Sequence, residues 1–148
     1  MTEPAWCEAA APTPSATHAV LLHAAIGHTA DLTATRARLE RAVTVGSASP
    51  APAEDLERLL LAFEELAGNG YRHGGPPVEV TVTATDSGWL IVVTDRAPGY
   101  PPAVAVGRDP AHGGLGLHLV ARLAAAVGWA TDTDRKHVWA CIDRAVTT

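Results

Sequence analysis

The sequence is organised around residues 64–75, which read Glu64-Glu65-Leu66-Ala67-Gly68-Asn69-Gly70-Tyr71-Arg72-His73-Gly74-Gly75. They close a pattern that begins near Ala53, in which apolar residues recur at the spacing of a helix. Glu65, Asn69 and His73 stand four residues apart, so a continuous helix places them in one polar stripe beside the apolar face. Such a stripe is either one wall of a binding site or a solvated helix face.

Two glycines in this stretch favour the binding-site interpretation. Gly68 and Gly70 each cost a helix interior about 1 kcal/mol relative to alanine. A position that keeps glycine at this cost usually needs the small size, because a strand or a ligand approaches the backbone closely.

The composition is that of one soluble globular domain. The chain has 148 residues, of which 47% are hydrophobic, and a formal net charge of −5. The negative charge argues against nucleic acid and anionic membranes as partners, and no apolar run is long enough to span a bilayer. Cys7 and Cys141 lie far apart and fit no metal-binding spacing, so we expect a reduced, cytoplasmic protein. Lys136 is the only lysine, which leaves phosphate contacts to arginine, histidine or backbone N–H groups.

The periodicity predicts the element order β-α-α-β-β-loop-α-β-β. Strands are expected at 20–26, 78–85, 89–95, 129–133 and 138–143, and helices at 32–45, from 53 to the break at 74–77, and from 113 to 127. Because the helices cluster beside the strands instead of alternating with them, the fold class is α+β. We expect a two-layer sandwich: a mostly antiparallel mixed sheet of about five strands with about three helices on one face. Residues 1–16 are predicted to be a flexible arm, and residues 17–148 the domain.

Three segments carry groups that suit a magnesium nucleotide. The amide oxygen of Asn69 suits Mg²⁺, and Glu65, one turn away, is placed to accept a proton from an attacking hydroxyl. The glycine-rich turn at 113–116 heads a helix, whose N-terminal N–H groups attract anions. Asp95 ends an apolar strand. Each feature has an ordinary alternative: a plain turn for the glycines, and a turn residue or helix cap for Asp95.

The order of these motifs adds specificity. Glu65-x-x-x-Asn69-x-x-x-His73 is followed by Asp95-x-Ala97-x-Gly99, a loop, and Gly114-x-Gly116-Leu117. Over residues 18–143 this order resembles the GHKL, or histidine-kinase-like, ATPase superfamily, and in particular its single-domain members typified by anti-sigma-factor serine kinases. The fold that the resemblance implies is the Bergerat sandwich.

The resemblance also implies residue roles. Glu65 would be the general base, Asn69 would hold Mg²⁺, and Asp95 would bind the adenine amino group beside Gly99. Residues 100–112 would form the ATP lid. The implied nucleotide-binding positions are Asn69, His73, Asp95, Gly99, Gly114, Leu115, Gly116 and Leu117.

A partner follows from the same resemblance. Members of the anti-sigma type bind a sigma factor and use Mg-ATP to phosphorylate a serine on a small antagonist protein. For this chain the resemblance therefore implies an ATP- and Mg²⁺-dependent serine/threonine kinase with a protein partner. The net charge argues against direct contact with nucleic acid or membrane, and a homodimer is compatible with the sequence.

Two departures from the family pattern leave an alternative open. Ala97 stands where a glycine is usual and is followed by Pro98, which crowds and stiffens the adenine side. The lid has no lysine, which leaves Arg96 and Arg108 as candidate phosphate contacts. The alternative is a non-catalytic regulator that sequesters a partner with weakened or lost nucleotide binding. A third hypothesis is an ATP-binding sensor beside a separate histidine kinase, because no phosphoacceptor helix precedes the domain.

Overall fold

The computed structural model describes residues 4–45, 51–99 and 115–145. The strands are β1 (Val20–Ile26), β2 (Val78–Ala84), β3 (Gly88–Asp95), β4 (Ala126–Thr131) and β5 (Lys136–Asp143). The helices are α1 (Thr29–Thr44), α2 (Ala53–Asn69) and α3 (Leu115–Leu123), and a π-helical turn at Gly70–Gly74 continues α2. None of the described helices is both long and apolar enough to cross a membrane.

The five strands form one sheet in the order β1-β2-β3-β5-β4, and every pair of neighbours in it is antiparallel. Alternate residues of the strands, such as Val80, Ile91 and Ala140, are buried beneath the helices and share one core with Leu59, Phe63 and Val120. The predicted α+β sandwich is confirmed.

Several boundaries differ from the prediction, and α1 begins at Thr29 instead of Leu32. The third helix ends at Leu123 instead of Val127, and β4 begins at Ala126 instead of Trp129. The run 124–127 is apolar throughout and fits a helix or a strand by sequence; pairing decides for the strand, because the N–H of Ala125 bonds the carbonyl of Cys141. Lys136 was expected in the turn before the last strand, but it is the first residue of β5 and is buried.

The N-terminal segment follows the β4 edge of the sheet. The N–H of Ala9 bonds the carbonyl of Trp129 at 2.8 Å, and the N–H of Trp129 bonds the carbonyl of Cys7 at 3.1 Å. The indole N–H of Trp6 donates to the carbonyl of Leu117 in α3 at 2.9 Å. These contacts tie residues 6–9 to the sheet edge and to α3, while the division of the chain at residue 16 stays a prediction.

The glycines at the end of α2 serve two different contacts. A Cβ on Gly70 would lie 2.9 Å from Cγ1 of Val93 and 3.2 Å from Cγ1 of Val78, so the π-helical turn rests directly on β2 and β3. A Cβ on Gly68 would instead meet the guanidinium of Arg72 at 2.9 Å. The close approach expected from the sequence is thus made by strands at Gly70, whereas Gly68 faces the tip of a flexible side chain.

These two positions give a matched pair of variants. We expect Gly70→Ala to lower the free energy of unfolding by about 1–3 kcal/mol, because the new methyl group overpacks the core against two valines. Gly68→Ala should be neutral, or stabilising by up to about 1 kcal/mol, because Arg72 can turn away and alanine favours the helix. Urea unfolding of both variants measures the difference; equal stabilities would show that Gly70 is not in tight contact with the sheet.

Candidate functional site

The site begins where the π-helical turn meets the end of β3. Asp95 is the last residue of β3, and Gly74 is the last residue of the turn. A Cβ on Gly74 would overlap the carboxylate of Asp95, so the backbone of the turn lies directly against that side chain. Gly75 follows with a φ of 78°, a left-handed conformation that glycine adopts without cost. The glycine pair therefore lets the chain leave α2 while its backbone stays in contact with Asp95.

Asp95 is buried and bonded within its own chain. Its Oδ1 accepts the N–H of Ala97 at 2.8 Å, and its Oδ2 lies 3.5 Å from Nζ of Lys136. The side chains of Lys136 and Asp95 are only 3% and 1% exposed. Lys136 reaches this place because it stands directly opposite Asp95 in the antiparallel pairing of β3 with β5.

A second contact joins α2 to the start of α3. A Cβ on Gly116 would overlap the carboxylate of Glu65, mainly at Oε2. The backbone of the first turn of α3 thus lies against this carboxylate, and any side chain at position 116 would displace it. Glu65 and Gly116, predicted from the sequence as base and phosphate contact, are neighbours in the structure.

The two contacts lie at either end of one helical segment. From Glu65 to Gly74 the segment rises by nine steps of about 1.5 Å each, or roughly 13 Å. Asn69 lies between them as the last residue of α2 and is 6% exposed. The order along the segment is therefore Asp95 at one end, Asn69 in the middle, and Glu65 with Gly116 at the other end.

The remaining predicted site residues differ in how exposed they are. His73 is exposed, because the wider π-helical turn breaks the regular stripe that a continuous α-helix would give. Leu115 is 58% exposed, whereas Leu117 is 1% exposed and part of the core. No described atom lies within 4 Å of a Cβ built on Gly99. Gly114, Arg108 and the predicted lid at 100–112 lie outside the described residues.

Two clefts meet at Glu65. One, of about 510 Å³, lies between α1 and α2 and is lined by Leu32, Thr33, Arg36, Glu64, Glu65, Gly68 and Arg72. The other, of about 450 Å³, lies beside α3 and is lined by Glu65, Leu115, Gly116, His118, Leu119 and Arg122. The carboxylate of Glu65 is thus accessible from two sides, each of which carries arginine.

The surroundings of Asp95 are much more closed. The hollow that borders it measures about 20 Å³ and is lined by Pro77, Glu79, Thr94, Arg96 and Arg135 as well. This volume is about that of one water molecule. This hollow is too small for a purine ring, and neither Gly74 nor Lys136 lines it.

The described residues contain no group of three or more histidine, cysteine or acidic side chains that would hold a metal ion by themselves. A magnesium ion at Asn69 would therefore take most of its ligands from water and from phosphate oxygens, which is the usual coordination of Mg²⁺ at nucleotide sites. Asn69 has the oxygen ligand that this role needs, and the residue lies between the two ends of the segment.

Sequence reasoning missed Lys136 as a site residue. The signal that could have found it is the strand register: with Asp95 at the end of one strand and a polar turn before the next, antiparallel pairing places a residue near 136 opposite Asp95. An isolated lysine at the boundary of a predicted turn gave no reason to extend the strand over it.

Comparisons with known proteins show the family to which the chain is similar. The family model of the histidine kinase-like ATPase domain matches residues 28–142. Fifty residues are 42% identical to the signal transduction histidine-protein kinase AfsQ2 of Streptomyces coelicolor; they cover 34% of this chain and 9% of that protein. No solved structure matches the chain.

Proposed function

The chain belongs to the histidine kinase-like ATPase family, and from that premise we propose that it is a regulatory protein that binds Mg-ATP along the segment from Asp95 to Glu65. The observation that carries the proposal is the order of contacts on α2 and its π-helical turn. A buried carboxylate lies at one end, an amide in the middle, and a carboxylate against a glycine-headed helix at the other end. Base, metal and γ-phosphate of ATP follow one another in the same order.

The proposed chemistry is phosphoryl transfer to a serine or threonine of a protein partner, as in the anti-sigma-factor kinases. Transfer from ATP needs positioning and charge stabilisation more than covalent help from the protein. Glu65 is intermediate in exposure and opens onto both clefts, so a hydroxyl group of a partner can reach it from outside. The arginines of the clefts, Arg36, Arg72 and Arg122, offer positive charge beside the reacting phosphate.

The partner class we propose is a sigma factor, a small antagonist protein, or both. The basis is the resemblance of the ordered motifs, together with a carboxylate that a protein side chain can reach. The net charge of −5 makes direct binding of nucleic acid unfavourable.

Thermal and chemical unfolding in the presence of Mg-ATP tests the proposal. At a ligand concentration of about 100 times Kd, binding to the folded state should add about 2.7 kcal/mol to the free energy of unfolding. Asn69→Ala should remove most of this gain because the metal loses its protein ligand. Arg38→Ala, at an exposed position of α1, is the matched control and should keep the full gain. No stabilisation of the wild-type protein by Mg-ATP would refute the proposal.

A second candidate function is favoured by the closure around Asp95. Both oxygens of this carboxylate already face donors of the chain, Ala97 and Lys136, and the adjoining hollow admits only about one water molecule. A protein that keeps the fold and sequesters a partner without nucleotide would show these features. Co-purification of a partner that is unaffected by ATP or by its removal supports this candidate, and phosphate transfer to that partner counts against it.

A further inference from the structure

Lys136 is the only lysine of the chain. Its Nζ lies 3.5 Å from Oδ2 of Asp95, whereas charge-assisted bonds between an ammonium and a carboxylate are usually about 2.7–2.9 Å long. The two groups are therefore close enough to neutralise each other but are not in the closest arrangement. A carboxylate has about four lone-pair directions, so Oδ2 can accept a further donor while Oδ1 keeps the N–H of Ala97.

The pairing of the strands fixes the position of Lys136, whose side chain is buried and is not a flexible side chain on the surface. It is opposite Asp95 in the β3–β5 pairing, and it lies on the same face of β5 as Val138 and Ala140, which belong to the core beneath the helices. The ammonium group is thus held on the helix-facing side of the sheet, where the backbone of Gly74 also touches Asp95. A donor and an acceptor stand side by side at this end of the proposed nucleotide segment.

We propose that Lys136 is a specificity-determining residue that binds the ring nitrogen N1 of adenine while Asp95 accepts the adjacent 6-amino group. This inference rests on the proposed function, which places the base at Asp95. Adenine carries an N–H donor and an acceptor nitrogen next to each other on this edge, and the carboxylate and ammonium offer the complementary pair. In the absence of nucleotide the same ammonium compensates the charge of the buried carboxylate, which otherwise would be costly.

A purely structural role for Lys136 makes a different prediction. A lysine that only neutralises Asp95 has no contact with the base. Removal of N1 from the ligand would then change neither the Nζ signal of Lys136 nor any part of the affinity that depends on Lys136. The nucleotide analogue 1-deaza-ATP separates the two roles, because it keeps the 6-amino group and replaces N1 by a C–H group that cannot accept a hydrogen bond.

The first measurement uses the wild-type protein with ¹⁵N in the lysine side chain. Since the chain has one lysine, the spectrum contains one Nζ signal and needs no assignment. Saturating Mg-ATP should shift this signal, and saturating 1-deaza-ATP should leave it near its position in the free protein. Equal shifts with both nucleotides, or no shift with either while both bind, would overturn the inference.

The second measurement compares dissociation constants. The wild-type protein should bind ATP about 10- to 100-fold more tightly than 1-deaza-ATP, the range expected for one hydrogen bond to a charged group. Lys136→Met should reduce this ratio to near one, with its folding checked by its melting transition. If Lys136→Met leaves the ratio of the two dissociation constants unchanged, the inference is wrong and the proposed function still stands. If the wild-type protein does not bind ATP at all, both are wrong. If Lys136→Met does not fold, the wild-type ratio and the Nζ signal decide.

Discussion

Lys136→Met is expected to lower the free energy of unfolding by about 3–5 kcal/mol, the usual cost of removing one partner from a buried ion pair. The carboxylate of Asp95 is 1% exposed, so bulk water does not replace the lost ammonium, and the N–H of Ala97 remains as a hydrogen-bond donor to it. Urea unfolding without nucleotide measures the effect and is independent of any ligand.

The control for this prediction is the double variant Asp95→Asn/Lys136→Met. It removes both charges and keeps similar volumes, so it should be more stable than Lys136→Met alone. The contrary result is a double variant whose loss in free energy of unfolding equals the sum of the losses in the two single variants. The two groups would then not be energetically coupled, and the 3.5 Å approach of Lys136 to Asp95 would not contribute to stability.

Glu65→Gln is expected to slow transfer of the γ-phosphate of ATP by about 10²–10⁴-fold, the usual contribution of a positioned general base. Glutamine keeps the shape of the side chain beside Gly116 but cannot take the proton of the attacking hydroxyl group. The dissociation constant of Mg-ATP should change little, because the proposed ligands of the base and the metal are Asp95 and Asn69. The measurement is the rate of phosphate release or of transfer to a co-purified protein.

Glu64→Gln is the matched control, since it changes the adjacent carboxylate of the same helix. Glu64 forms an ion pair of 2.8 Å with Arg36 across α1 and α2 and is about half exposed. Loss of an exposed pair of this kind costs at most about 1 kcal/mol, and the transfer rate should stay near that of the wild-type protein. Equal losses of rate in both variants would contradict the assignment of the base to Glu65.

The fold could be predicted from the sequence because its signals are local. The strict alternation over residues 78–84 indicates a strand, and the helical periodicity from Ala53 onward indicates a helix. The clustering of the helices beside the strands predicts the two layers. The prediction for residues 124–127 was wrong because four successive apolar residues show no period. Strand pairing with Cys141 decides their structure instead.

The candidate site was predicted in its linear order but not in its contacts. The sequence names Glu65, Asn69 and Asp95, and the structure adds that Gly116 lies against the first and Gly74 against the last. The pairing of Asp95 with Lys136 depends on the register between β3 and β5, which joins residues far apart in the chain. The exposure of His73 depends on the π-helical turn, and a fixed spacing of four residues gives no sign of that turn.

The central claim is that Asp95, Asn69 and the start of α3 bind one nucleoside triphosphate. A crystal structure with a non-hydrolysable ATP analogue and Mg²⁺ tests it most directly. We expect the base at Asp95, the metal at Asn69, and the γ-phosphate beside Glu65 and Gly116. A nucleotide bound only in the cleft between α1 and α2, or at any other place where it contacts neither Asp95 nor Asn69, would contradict it.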